Sequence, residues 1–131
     1  MTDMVQEAKH SVVVVHQLIE RIFNNASESE ETLNLFLSYF HPSFMLITPA
    51  GQRLSLTAME ALFRGLKGQR EGVRIATGEY EILSQNGTDV VIQYCELQMR
   101  NGETQKRIAV AILDCSTANP RWRYLQETLC A

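Results

Sequence analysis

The sequence predicts an α+β fold, and three observations carry that prediction. Gly, Pro, Asn and Asp divide the 131 residues into a first half with apolar side chains at helical spacing and a second half rich in strand formers. Two Asn-Gly pairs, Asn86-Gly87 and Asn101-Gly102, mark hairpin turns in that second half. No repeat, linker or low-complexity tract interrupts the chain, so a single domain over residues 1–131 is expected. With 45% apolar and 21% charged residues, and a length that buries roughly two thirds of the unfolded surface, one core suffices without disulfide or metal staples.

From Met4 to Asn24, the residues Val12, Val15, Leu18, Ile19, Ile22 and Phe23 recur at helical spacing and leave Glu7, Gln17, Glu20 and Arg21 for the other face, which predicts a first helix. Ser27, followed three residues later by Glu30, fits a capping box. Leu33, Phe36, Leu37 and Phe40 then form the stripe of a second helix that ends at His41-Pro42. Phe44 to Thr48 reads as a short strand closed by Pro49-Ala50-Gly51. Thr57 with Glu60 caps a third helix that carries Ala58, Leu62 and Leu66 and stops at Gly65 and Gly68. The run from Gly65 to Gly72 lacks the spacing and the strand-to-helix setting of a phosphate loop and reads as a mobile connection.

Counting outward from two-residue type I′ turns sets the register of the rest. Asn101-Gly102 places Arg100 opposite Glu103, Glu96 opposite Arg107, Tyr94 opposite Ala109 and Ile92 opposite Ala111. Asn86-Gly87 places Thr77 opposite Glu96 and Glu79 opposite Tyr94. Three strands then share a face bearing Thr77, Glu79, Tyr94, Glu96 and Arg107, with Cys95, Leu97, Ile108, Val110 and Ile112 on the other. A last strand, Trp122 to Leu129, returns through the Thr117-Ala118-Asn119-Pro120 loop and completes a meander. Hydropathy alone does not say which face meets the helices, since a single bulge inverts parity.

Twelve basic against fifteen acidic side chains give a net charge of -3 with no basic stripe, so nucleic acid is not an expected partner. The four-valine run Val12 to Val15 is too short for a signal-peptide core or a membrane span, and a cytoplasmic protein without membrane association is expected. Cys95, Cys115 and Cys130 are odd in number and widely spaced, with no CxxC pair and no histidine at ligand spacing. They read as reduced, structural thiols, and neither a metal nor a cofactor is expected.

The passage Phe40-His41-Pro42-Ser43-Phe44-Met45-Leu46-Ile47-Thr48-Pro49-Ala50-Gly51 resembles the F-x8-P-x-G passage of the nuclear transport factor two-like superfamily, which includes ketosteroid isomerase and the SnoaL-like cyclases. The Arg107 strand followed by Trp122-Arg123 fits the same comparison, and the likeness covers almost the whole chain. It implies a cystatin-like α+β cone, in which three N-terminal helices pack on the concave face of a curved, mostly antiparallel sheet around a central pocket. The convex face of such proteins commonly pairs with a second subunit. On that footing the face with Tyr94, Glu96, Arg107, Ala109 and Ala111 lines the pocket, the two alanines leaving room. The face with Cys95, Leu97, Ile108, Val110 and Ile112 becomes a homodimer interface.

Laid on ketosteroid isomerase, the Pro49-Ala50-Gly51 passage puts Thr48 where that relative has its aspartate base, and a threonine hydroxyl accepts no proton near neutral pH. The relative's tyrosine falls near Leu18 or Ile19 and its second acid near Ala109 or Ala111, so the resemblance argues against steroid isomerisation. What remains is the row Glu96, Arg107 and, in the simplest register of the last strand, Glu127. Directly opposed residues stand about 4.5–5.5 Å apart at Cβ, so Glu96 and Arg107 can pair. Such a pair is either a functional clamp or a satisfied ion pair that closes the wide end of the cone. In the functional reading Arg107 offers a planar fork to a carboxylate, and Glu96 or Glu127 acts as general acid or base.

The expected ligand-binding residues are therefore Thr48, Tyr94, Glu96, Arg107 and Glu127, with Glu96 and Glu127 the catalytic candidates. His41 reads as a cap on the second helix, His10 and His16 as surface or packing groups, and Glu28, Glu30 and Glu31 as a solvated face at a helix N-terminus. Trp122 and Tyr124 read as packing or interface groups. The expected function is a pocket-bearing dimer that holds a small, partly apolar organic ligand with a carboxylate facing Arg107. One alternative is a cofactor-free SnoaL-like isomerase, cyclase or lyase working by proton transfer, with Tyr94 or Thr48 as hydrogen-bond donor. Another is an association module with a vestigial pocket.

Overall fold

The computed structural model describes residues 3–131. The first helix, α1 (Met4–Asn24), opens on Asp3, whose carboxylate accepts the amide of Val5 at 3.0 Å, and turns Ala8, Val12, Val15, Leu18 and Ile22 inward. The second, α2 (Glu30–Ser38), is capped by Ser29, not by Ser27. Ser29 Oγ takes the Thr32 amide at 3.2 Å while Glu28 takes the Thr32 hydroxyl at 2.8 Å, a local network that a three-residue spacing rule misplaces by one half-turn.

The second helix also ends earlier than its apolar stripe suggests. Strand β1 (Phe40–Ile47) already contains His41 and Pro42, so His41 caps no helix; its Nδ1 accepts the Ser43 amide at 3.1 Å. Pro42, with no N–H to donate, falls in the stretch between Phe40 and Met45 where the ladder shifts register. After the short β2 (Arg53–Ser55), helix α3 (Leu56–Leu66) is capped by Ser55 through the Ala58 amide at 3.2 Å, in place of the expected Thr57.

The connection from α3 to the sheet is anchored, contrary to the expectation of a mobile loop. The amides of Gly68 and Arg70 donate to the carbonyls of Ile22 and Phe23 at the end of α1, at 2.8 and 3.0 Å, and the Gly72 amide donates to Asn24 Oδ1 at 2.7 Å. The first two bonds satisfy helix-end carbonyls that would otherwise lack partners, and the third reaches the Asn24 side chain. Gly68 makes the approach feasible: its φ is +71°, and a Cβ there would stand 2.4 Å from the Ala26 backbone.

Four long strands complete the sheet: β3 (Arg74–Asn86), β4 (Asp89–Arg100), β5 (Glu103–Asp114) and β6 (Arg121–Leu129). The order across the sheet is β2-β1-β6-β5-β4-β3, with β1 and β6 parallel and every other pair antiparallel. Three helices on a curved sheet make this an α+β cone. Asn101 and Gly102 both take positive φ, 55° and 77°, and the β4–β5 register follows from them without a break, Glu96 opposite Arg107 and Tyr94 opposite Ala109. The β3–β4 turn is different. Gly87 alone takes positive φ, Asn86 pairs with Asp89, and two irregularities in β3 bring Thr77 opposite Glu96. Glu79 sits in the first of these, at φ 52°, and is thereby carried to the outer face, where it accepts from Cys95 Sγ and lies 3.6 Å from Lys106 Nζ. The expected place for Glu79 on the pocket face is corrected accordingly.

The helices cover the face that carries Tyr94, Glu96, Ala109 and Ala111, all at most 2% exposed. Trp122 is buried beside them, its indole N–H donating to Ser11 Oγ at 2.9 Å. Phe23, Phe63, Phe36, Phe40 and Phe44 form a chain of ring contacts, centroids 4.7 to 5.8 Å apart, that joins all three helices to β1 and roofs the cone.

Candidate functional site

Alternation along the strands aims the polar side chains into the cone. Glu96 and Gln98 are two apart on β4, Arg107 stands opposite Glu96 on β5, and Glu127 on β6 is registered opposite Ala109. From the helical side α1 contributes His16, which lies on the inward stripe four residues after Val12 and one after Val15. His16 is 3% exposed, so the surface alternative expected for it is corrected: it is buried and faces the cone. Its place on that stripe is the signal that a count of His-His spacing overlooks.

These groups form a hydrogen-bonded chain. Arg70 Nη1 donates to Gln98 Oε1 at 2.8 Å, and Gln98 Nε2 donates to Glu96 Oε2 at 2.6 Å. His16 Nε2 is 3.2 Å from Glu96 Oε1, and His16 Nδ1 donates to the Val12 carbonyl at 2.8 Å. A carbonyl only accepts, so Nδ1 carries a hydrogen; Nε2 must then also be protonated to meet a carboxylate without lone-pair repulsion. Burial works against the charged imidazole, but the hydrogen bond and charge of Glu96 outweigh it and raise the His16 pKa. Burial likewise works against an ionised Glu96, and His16 with Gln98 overcomes it and holds that carboxyl below its ordinary range. The two are a buried ion pair at the floor of the cone.

Glu127 behaves in the opposite way. Burial, and next the negative charge of Glu96, push its pKa up to about 7 against the opposing pull of Arg107 and His16. Arg107 approaches it with Nη1 at 3.5 Å from Oε1, while Nε and Nη2 donate to Gln105 Oε1 at 3.1 and 2.9 Å. The expected Glu96–Arg107 ion pair is therefore not made, although the two residues are register partners. Both Glu96 oxygens are taken by His16 and Gln98, and the nearer carboxylate of Arg107 is Glu127.

A chamber of about 60 Å³ lies above this floor, walled by His16, Glu96, Trp122 and the phenylalanine roof. It opens into a vestibule of about 230 Å³ with which it shares Phe23, Leu46, Phe63, Gln98, Arg107 and Glu127 as walls. The chamber has room for a few waters, each needing about 10–15 Å³ by this measure. Thr48 lines the vestibule, its hydroxyl accepting the Gln52 amide at 3.1 Å. Tyr94 lines neither space. It is fully buried behind His16, its oxygen 3.5 Å from Nε2, and burial raises its pKa well above the ordinary value so that it stays a phenol. A larger hollow, about 450 Å³, is an open groove at the rim beside the β4–β5 turn and not the cone itself.

Among the described residues no three His, Cys, Asp or Glu side chains are placed to hold a metal, and no helix is long and apolar enough to cross a membrane. The three cysteines are free thiols.

A six-stranded curved sheet roofed by three helices over a polar-floored pocket is the nuclear transport factor two-like, or cystatin-like, fold, and this chain has it. No protein-family model matches the sequence, and no curated protein matches it. Solved structures do. An NTF-2-like protein of unknown function from Pseudomonas aeruginosa is similar at 25% identity and a TM-score of 0.88, over 95% of this chain and 99% of that one. The β subunit of benzoate 1,2-dioxygenase from Burkholderia mallei gives 12% identity and a TM-score of 0.74, over 99% of this chain and 92% of that one. A ketosteroid isomerase-like protein from Erwinia carotovora atroseptica gives 7% identity and a TM-score of 0.72, over 100% of this chain and 99% of that one.

Proposed function

We propose that the protein binds a small, partly apolar organic anion in the cone, its carboxylate on Arg107 and its body among Phe23, Leu46, Phe63 and Leu66. The observation that carries this reading is the state of the Arg107 guanidinium at the neck between chamber and vestibule. Two of its nitrogens are held by the neutral amide of Gln105, and the carboxyl beside it, Glu127, is only partly ionised near pH 7. A cation so partnered keeps its attraction for an incoming anion. The vestibule, at about 230 Å³, is below the roughly 300–1,000 Å³ that drug-sized ligands occupy, so the ligand is of the size of one ring with a short acid. The reading includes a cytoplasmic setting and a homodimer through the outer sheet face. Calorimetric titration with phenylacetate and its neutral isostere phenylacetamide tests it. The acid is expected to bind at least about tenfold tighter, a gap of about 1.4 kcal/mol, and Arg107→Gln is expected to abolish that gap. Equal binding of acid and amide overturns the reading.

A second reading, proton transfer without a cofactor, is favoured by Glu127 itself. A carboxyl that titrates near pH 7 inside an apolar-walled space suits a general acid or base. Exchange of α-protons of small ketones in D2O, followed by NMR, is then expected to rise through an apparent pKa near 7 and to vanish in Glu127→Gln. Exchange that is unchanged in that variant removes Glu127 from the chemistry.

A further inference from the structure

The rim groove is not a separate dent in the surface. Arg70 and Gln98 line both it and the vestibule, so the two spaces adjoin. The chain as a whole carries a net charge of -3, yet the groove is lined by the guanidinium side chains of Arg70 and Arg100 against one acidic side chain, Glu103, among the described residues. Neither arginine has a carboxylate oxygen within 4 Å among those residues. Arg100 stands opposite Glu103 in the β4–β5 ladder, but its Nε donates instead to the backbone carbonyl of Glu71 at 2.9 Å. Lys106 also borders the groove, but its ammonium lies on the outer face of the sheet, 3.6 Å from Glu79.

Arg70 is held in place from three sides. Its amide is bonded to Phe23, its guanidinium lies over the Phe23 ring at 5.8 Å from the centroid, and Nη1 donates to Gln98, itself 5% exposed. A guanidinium fixed by neutral partners, with N–H groups left over and a second one on the neighbouring stretch of backbone, is a preformed fork for an oxyanion.

We propose that the rim groove is an anion subsite, held by Arg70 and Arg100, for a second anionic group on the ligand of the cone. It deepens the reading of Arg107 as a carboxylate anchor and rests on it. The ligand class becomes an organic dianion with an apolar middle, the outer group being a phosphate or a second carboxylate.

Arginine Nε–H NMR on the full chain tests the subsite apart from the cone. Titration with inorganic phosphate, and separately with malonate, is expected to shift the Arg70 and Arg100 signals saturably, and to do so equally in Arg107→Gln. Arg100→Gln is expected to weaken phosphate at least tenfold, and Arg100→Lys, which keeps charge without the fork, to fall between. Saturation with phosphate alone assigns the outer group as phosphate; saturation with both assigns a general oxyanion subsite. Shifts that merely track chloride at equal ionic strength, or no shift, overturn the subsite. The connection to the cone is tested by 4-(phosphonooxy)phenylacetate, expected to bind at least tenfold tighter than phenylacetate, with Arg100→Gln removing the gain and sparing phenylacetate. Phosphate binding without that gain overturns the dianion assignment. Failure of the cone reading shows separately, as phenylacetate binding that ignores Arg107.

Discussion

His16 and Glu96 are tolerable in the interior only because each neutralises the other. The sign of their effect on stability follows from the two shifts. The His16 value is raised above its ordinary 6.5, so its contribution is fully present below about that pH and is lost as pH rises through the folded value. The Glu96 value is depressed below its ordinary 4.5, so its contribution is present above about that pH and is lost as pH falls through the folded value. His16→Leu, which strands Glu96, is expected to cost about 3–5 kcal/mol at pH 6 in urea denaturation. A loss under about 1 kcal/mol would show that the pair is not buried as described. Glu127 has the reverse sign. Its folded value is raised from 4.5 to about 7, so folding disfavours its ionised form, and Glu127→Gln is expected to stabilise the protein at pH 8. The gain is on the order of 1–3 kcal/mol and fades toward zero by about pH 4. At this scale the carboxylates and Arg107 were legible because strand alternation tells which side chains share a face. Their partners were not: whether Arg107 meets Glu96 or Glu127 depends on His16, whose contribution arrives from a helix 80 residues away in sequence.

Local rules worked for elements whose geometry is set by their own residues. Asn101-Gly102 accepts positive φ at both positions, and every pair of the β4–β5 hairpin follows by counting. They failed where the cause lies elsewhere. The irregularities in β3 shift its register against β4, and the parallel pairing of β6 with β1 joins strands far apart in the sequence. The glycines at the end of α3 and just beyond it are a case in point, since one pattern of residues covers two physical roles. Gly65 lies in the helix, exposed, with nothing within 4 Å of an added Cβ, so Gly65→Ala is expected to stabilise by about 0.5–1 kcal/mol. Gly68 has positive φ and no room beside Ala26. Gly68→Ala is expected to destabilise by about 1–3 kcal/mol, and to speed exchange of the Gly68 and Arg70 amides as the loop lifts off α1. Two substitutions of like kind and opposite sign, measured in the same denaturation series, separate docking from propensity.

At the level of the whole molecule, the sheet has one face covered by the helices and one left open. On the open face Cys95 and Leu97 of β4 and Val110 and Ile112 of β5 are only partly buried, and Ile108 is 38% exposed. Ile108, Val110 and Ile112 alternate along β5 beside Cys95 and Leu97 and form an apolar strip broken by Gln93, of the kind that exposed surfaces of monomeric proteins seldom keep. Lys106 and the displaced Glu79 lie at its edge, where charges suit the rim of an interface. Pairing of two such faces by a two-fold axis would bring each strip onto its own copy, as an isologous interface requires. The wild-type chain is accordingly expected to sediment as a dimer at micromolar concentration. Ile108→Lys, which sets a charge in the middle of the strip and touches nothing in the cone, is expected to shift it to monomer by at least tenfold in dissociation constant. The variant should keep its affinity for phenylacetate, because Arg107 and Glu127 face the opposite side of the sheet. A wild-type chain that sediments as a monomer at every accessible concentration would remove the outer face as a self-association surface. A variant that loses dimer and ligand together would instead show that the cone depends on the partner.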